Sequence, residues 1–224
     1  MKIFLDASEF EWFTGLLAEV VEEFAIECWN YCLMPNHYHL TLRPTLNNLS
    51  EGMKQLNEDY ARWWNRRHQH VGHVFQGPFK AQIVQEDQYC LTLCRYIALN
   101  PVRAGLTARP EEWTWSSYAA IVGLRPRPEF LTAGANLRLL GDGDEPRLQA
   151  RFAEYVLAGT NNGGLTDDIR SKQPILGDRA FVVSCRRAAQ ENHGLADLER
   201  SAKFLFHSGR YQTTLCSEPT AARM

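Results

Sequence analysis

From Tyr31 to Pro44 the chain reads Tyr-Cys-Leu-Met-Pro-Asn-His-Tyr-His-Leu-Thr-Leu-Arg-Pro, and no other stretch constrains the fold as much. After the turn signal Pro35-Asn36, polar and apolar residues alternate, which is the period of a strand with one face on a core. On such a strand His37, His39, Thr41 and Arg43 share one face, while Tyr38, Leu40 and Leu42 share the other. The two imidazoles then sit side by side on a rigid floor. Neutral imidazole is the commonest metal ligand, so the pair can grip one cation and leave other coordination positions open to a substrate. Taken alone, the strand is equally readable as two solvent-facing histidines on an antiparallel sheet.

The flanking segments supply that sheet. Ser8-x-x-Glu11 suits a capping box, and Phe10, Phe13, Leu17, Val20 and Phe24 recur at helical spacing over residues 8–27. Cys28–Met34 reads as a strand that forms a hairpin with the histidine strand. Asn48-x-x-Glu51 then opens a helix to about Arg67, with Leu49, Met53, Leu56, Tyr60 and Trp63 or Trp64 on its buried stripe. Arg62, Arg66 and Arg67 near its end either complement the helix dipole or form a DNA-facing edge on which the tryptophans stack with bases. A strand is expected over His73–Val84, interrupted by Gly77-Pro78 and carrying Lys80; Asp87 then caps a helix from Gln88 to Asn100 that stops at Pro101.

Helix, strand, strand, helix, strand, helix is an α+β order. It specifies a ferredoxin-like antiparallel sheet with helices on one face and its first strand missing, since only Ile3-Phe4-Leu5 stands ahead of the first helix. A missing central strand leaves backbone donors and acceptors exposed on its neighbours.

Composition narrows the setting. With 224 residues, 45% of them hydrophobic, the chain can bury a sizeable core, and no apolar run reaches the roughly 18 residues of a membrane span. Asp6 arrives too early for a signal peptide, so a cytoplasmic location without membrane attachment is expected. Cys28, Cys32, Cys90, Cys94, Cys185 and Cys216 lack zinc-type spacing and are expected as reduced thiols, mostly packed. His68, His70 and His73 are expected as solvated loop residues. Net charge is −6 over residues 1–35, +4 over 36–127 and 0 over 128–224, so positive charge gathers around the histidine strand, as local contact with a phosphate backbone requires.

The helix before Pro101 carries Tyr89, Leu93, Tyr96 and Asn100 on one stripe, with Tyr96 one turn before Asn100. A phenol can act as a nucleophile once a nearby cation or base helps remove its proton, and an amide oxygen is a hard ligand that can join two histidines on one metal. By itself this helix also fits a tyrosine packed in the core.

Three phrases carry a family resemblance over roughly residues 4–124. Met34-Pro35-Asn36-His37-Tyr38-His39 resembles the signature of single-tyrosine HUH transposases, particularly relatives of the REP-associated tyrosine transposases. Arg95-Tyr96-Ile97-Ala98-Leu99-Asn100-Pro101 resembles their second signature, and Trp113-Thr114-Trp115-Ser116-Ser117-Tyr118 a phrase just after their catalytic helix, here expected to pack the end of the domain. The resemblance implies Tyr96 as nucleophile and His37 and His39 as metal ligands, joined by Asn100, with Mg²⁺ or Mn²⁺ as cofactor. It implies a strand transferase that cleaves and rejoins single-stranded or hairpin DNA through a 5′-phosphotyrosine link. Arg43, Arg62, Arg66, Lys80 and Arg103 are the candidate DNA contacts.

Two rivals stand beside this reading: a catalytically silent nucleic-acid-binding regulator, and a metal phosphodiesterase in which water attacks. A homodimer is as compatible with the sequence as a monomer. The expected organisation is a catalytic domain over 1–124, a linker at Arg125-Pro126-Arg127-Pro128, a mainly helical C-terminal extension of unassigned role over 129–216 with a helix near 146–158, and a frayed tail at 217–224.

Overall fold

A computed structural model describes residues 2–46, 48–75, 79–85, 88–160, 174–190 and 203–208. The expected Gly77-Pro78 interruption, the Asp87 cap, the break at Asn161–Gly164, Cys216 and the tail at 217–224 lie outside these residues. Among the described residues, no helix is long and apolar enough to cross a membrane.

The first helix, α1 (Ala7–Glu23), is capped by Asp6, whose carboxylate accepts from Glu9 N at 3.3 Å. The expected cap, Ser8, lies inside the helix instead and donates to Asp6 Oδ1 at 2.6 Å. Asp beats Ser here because it also accepts from Arg67 at 2.7 Å. Strands β1 (Ile26–Met34) and β2 (His37–Pro44) follow as an antiparallel hairpin, then α2 (Leu49–His68). Asn48 is the N-cap residue of α2, yet its side chain reaches back to donate to Phe24 O at 3.1 Å, closing the end of α1.

Strand β3 runs only from Lys80 to Val84. The residues expected to begin it do other work: Val74 and Phe75 are buried, with Phe75 packed against Tyr38 and Tyr60. Helix α3 (Gln88–Arg103) passes through Pro101 instead of stopping before it. Proline removes one helical donor, but Pro101 is buried, and Ala104 N and Leu106 N still close the end on Asn100 O and Pro101 O. Downstream come a 3₁₀ turn (Pro110–Glu112), α4 (Tyr118–Ile121), α5 (Ala133–Arg138), α6 (Glu145–Ala158), the short strand β4 (Ile175–Leu176), α7 (Arg179–Gln190) and β5 (Lys203–Ser208).

The sheet order is β1-β2-β5-β3-β4. Strand β5, from the far end of the chain, pairs antiparallel with β2 on one side and with β3 on the other. That is the slot and direction of the first strand of a ferredoxin-like sheet, so backbone groups that its absence would expose on β2 and β3 meet a partner. Ile3 and Phe4 do not form a strand; both are buried, and both N–H groups donate to Pro35 O, at 2.8 and 3.0 Å.

Helices α1 and α2 cover the Tyr38 face of the sheet. Phe13 there packs on Phe4, Tyr38 and Tyr60, with ring centroids 4.9–5.4 Å apart. The buried Glu9 joins the two helices, accepting from Leu5 N and lying 2.5 Å from His68 Nε2. Helix α3 covers the opposite, histidine face, so the helices flank the sheet on both faces and not on one as expected, because Tyr96 and its neighbours pack on the side that carries His39. The free edge of β1 is closed by the segment that follows α3: Leu33 N donates to Trp115 O, Ser117 N to Tyr31 O and Trp113 Nε1 to Leu33 O, all at 2.8–3.0 Å. The Trp113–Tyr118 phrase therefore packs the sheet edge and the domain end.

Candidate active site

Strand alternation puts His37 and His39 on one face, and the structure brings their ring nitrogens together. The Nε2 atoms lie 3.1 Å apart with the ring planes at 86°. Two nitrogens about 2.1 Å from a shared ion and 3.1 Å from each other subtend about 95° at it, a normal angle for two ligands of one divalent cation. His37 Nδ1 lies 2.8 Å from Asn36 Oδ1.

Helix α3 supplies the other wall. Tyr96 meets the His39 ring edge-on, with centroids 5.7 Å apart, and the Arg103 guanidinium sits 5.3 Å from the centre of the Tyr96 ring. Tyr96 is only partly buried, unlike its neighbours Ile97, Ala98 and Leu99, so it stands at the rim of the helix's packed face. Asn100 follows one turn later, and its Nδ2 is buried with no hydrogen-bond partner among the described residues. This unsatisfied end is a donor, which suits a phosphate oxygen; only the amide oxygen could face a cation.

A buried polar network sets α3 against the strands. In β1 the register slips between Cys28 and Asn30, leaving Trp29 as the extra residue of a bulge. Without that slip Asn30 would share a face with Cys28; with it, Asn30 opposes Thr41 on the histidine face. From there Asn30 Nδ2 donates to Cys94 O at 3.4 Å, two residues before Tyr96, and Asn30 Oδ1 accepts from Ser117 Oγ. Asn136 on α5 donates to Trp29 O at 2.5 Å and accepts from Cys94 Sγ at 3.3 Å. Sequence reading missed Asn30 and Asn136; the available signal for Asn30 was an asparagine inside the otherwise apolar run Cys28–Met34.

Burial disfavours the thiolate at two cysteines of β1. Burial pushes the Cys28 thiol up to about 12 and raises that of Cys32 as well. Cys28, Cys32, Cys90, Cys94 and Cys185 are all buried.

The candidate DNA contacts divide by position. Arg103 borders Tyr96. Arg43 is on the histidine face but four residues beyond His39, about 13 Å along the strand, and pairs with Glu27 at 3.4 Å. Arg62 and Arg66 are exposed on α2, across the sheet from the histidines, with Arg62 paired to Asp59 at 2.9 Å. Lys80 is placed by its backbone, where it and His39 are the two register neighbours of His207 on β5. Trp64 is buried, whereas Trp63 stacks on the half-exposed Trp12 at 5.2 Å, also on the far side. His68 belongs to α2 and is partly buried beside Glu9, so it is not a solvated loop residue; His70 is exposed and lies 3.0 Å from Asn65 Oδ1.

Residues 4–100 match the family model "Transposase IS200 like", a span that holds both histidines, Tyr96 and Asn100. Over these residues the chain is similar to IS200-like transposases. The chain is also similar to a Haemophilus influenzae protein named "Putative REP-associated tyrosine transposase", at 23% identity over 141 residues, covering 58% of this chain and 80% of that one. No solved structure matches it. Within the matched span the two histidines come from one strand and Tyr96 from the helix laid across it, so the relation between them depends on how α3 seats on the sheet.

Proposed function

We propose that this chain is a metal-dependent DNA strand transferase that cleaves and rejoins single-stranded DNA, at sites containing hairpins, through a 5′-phosphotyrosine intermediate. The observation that carries the reading is the convergence of His37 and His39 Nε2 at 3.1 Å with the Tyr96 ring against His39. Two imidazoles and the amide oxygen of Asn100 form a mixed nitrogen and oxygen set, which takes Mn²⁺ more readily than Mg²⁺ with its preference for an oxygen octahedron. A cation held there would polarise the scissile phosphate and offset charge as the phosphorus becomes five-coordinate.

The protein's own groups do the rest. Tyr96 loses its phenolic proton and its oxygen bonds to phosphorus; the P–O3′ bond breaks and the departing O3′ takes up a proton. Phosphorus stays on the 5′ end of the fragment downstream of the cut, joined to Tyr96, and the 3′-hydroxyl of the upstream fragment is free to reverse the step on another end. One phosphodiester replaces another, so no nucleoside triphosphate is consumed. Arg103 lies where its charge can offset that of the phosphate under exchange.

The test is incubation of the full chain with labelled hairpin-bearing single strands and Mn²⁺, followed by a denaturing gel. A covalent protein–DNA adduct that needs metal and is absent from Tyr96→Phe is the expected result. Cleavage that survives in Tyr96→Phe would show water as the nucleophile. DNA binding by the native chain with neither adduct nor cleavage would make it a silent regulator.

A further inference from the structure

The turn into β2 is pinned from outside, because Pro35 O accepts from both Ile3 N and Phe4 N. Next to that fixed carbonyl stands Asn36, whose Oδ1 lies 2.8 Å from His37 Nδ1. A carbonyl oxygen can only accept, so the contact requires the proton of a neutral His37 to be on Nδ1. Its Nε2 then carries a lone pair, and this is the nitrogen that faces His39 Nε2 at 3.1 Å. The opposite orientation of the Asn36 amide would put the proton on Nε2, at the point where a cation has to bind.

We propose that Asn36 is a positioning residue: it holds His37 in the Nδ1–H tautomer and so keeps the Nε2 lone pair directed at the meeting point of the two imidazoles. The consequence for metal rests on the reading given under the proposed function; the tautomer does not. In the metal-free pair His39 Nε2–H donates to His37 Nε2. For both Nε2 atoms to face a cation, His39 would have to give up its Nε2 proton and carry one on Nδ1 instead. Partners that fix the far nitrogen of a ligating histidine commonly change metal affinity about 10–100-fold when removed.

Two readouts test this on the full chain. In histidine-¹⁵N-labelled protein at about pH 8, where imidazoles are mostly neutral, long-range ¹H–¹⁵N spectra report which nitrogen of each ring carries the proton. The His37 signals are identified by their loss in His37→Gln. Electron paramagnetic resonance of free Mn²⁺ gives the affinity. Native His37 is expected as Nδ1–H. Asn36→Ala should release it toward Nε2–H and weaken Mn²⁺ binding about 10–100-fold, while Asn36→Asp, whose carboxylate still accepts from Nδ1–H, should preserve both.

A native His37 protonated on Nε2 overturns the proposal, and it does so even if Asn36→Ala fails to fold. So does a folded Asn36→Ala with native tautomer and Mn²⁺ affinity. Nδ1–H at His37 in a native chain that binds no Mn²⁺ would uphold the tautomer and overturn the metal centre.

Discussion

Strand β5 reaches the centre of the sheet from more than a hundred residues beyond β3, and a proline in it tests whether the active-site strand depends on it. Leu205 stands opposite Thr41 of β2 and Gln82 of β3, in the middle of its five register pairs with β3 and one from the end of its five with β2. Leu205→Pro removes its N–H and leaves the facing carbonyl unsatisfied inside the sheet, a loss of about 1–3 kcal/mol. The fixed ring also cannot fit between two paired neighbours, since proline is confined to edges, ends and bulges of sheets. A total near 3 kcal/mol is a large part of the ~5–15 kcal/mol by which a domain is normally stable. With a urea dependence of about 2 kcal/mol per M, the unfolding midpoint should fall by about 1.5 M. Hydrogen exchange should accelerate at Tyr38–Leu42 and Ala81–Val84, the residues that face β5. An unchanged midpoint together with native protection of β2 would refute the placement of β5 between the two strands.

Asn136→Ala leaves Trp29 O and the Cys94 thiol without their buried partner, which should cost about 2–4 kcal/mol. Because Cys94 lies two residues from Tyr96, adduct formation in the DNA assay should drop more than the folded fraction does; a variant with native stability and native adduct yield would remove Asn136 from the seating of α3. Acid stability depends on Asp6, whose carboxyl is held below its ordinary 3.8 first by the hydrogen bond from Ser8 and then by Arg67. The unfolded carboxyl has the higher pKa, so this contribution is fully present above about pH 4 and is lost as pH falls through the lower folded value. Urea midpoints measured down to about pH 2 should therefore fall less steeply in Asp6→Asn, which keeps a capping oxygen without the charge; parallel curves for the two proteins would exclude the effect.

What was legible in the sequence was local. The period-two run His37–Arg43 specified a strand, a buried face and a pair of adjacent imidazoles, because alternation alone decides which side chains share a face. The helical stripe from Tyr89 to Asn100 placed Tyr96 one turn before Asn100 in the same way. The end of α3 was not legible: the rule at Pro101 weighs one lost hydrogen bond, whereas burial of Pro101 and the bonds beyond it carry the helix to Arg103. The face of Asn30 depended on a bulge at Trp29, and a bulge inverts the parity on which strand reading rests. Lys203–Ser208 holds only a short apolar run, Phe204-Leu205-Phe206, like others in the chain, and its place in the sheet is decided by the slot open between β2 and β3.

These three failures meet at the site. The histidines are fixed by β2 alone, but the position of Tyr96 over them follows from contacts made by Asn30 and Asn136, and the floor under them is completed by β5. If Tyr96 is the nucleophile and the histidines hold a metal, as proposed, the two separate elements need that distance held within a fraction of an ångström for in-line attack. Apolar packing between α3 and the sheet is tolerant of small slides, whereas a directed bond from Asn30 to the Cys94 carbonyl is not. Substitutions at Asn30 or Asn136 should for that reason disturb the chemistry before they disturb the fold, and the motif residues by themselves are an incomplete description of the active site.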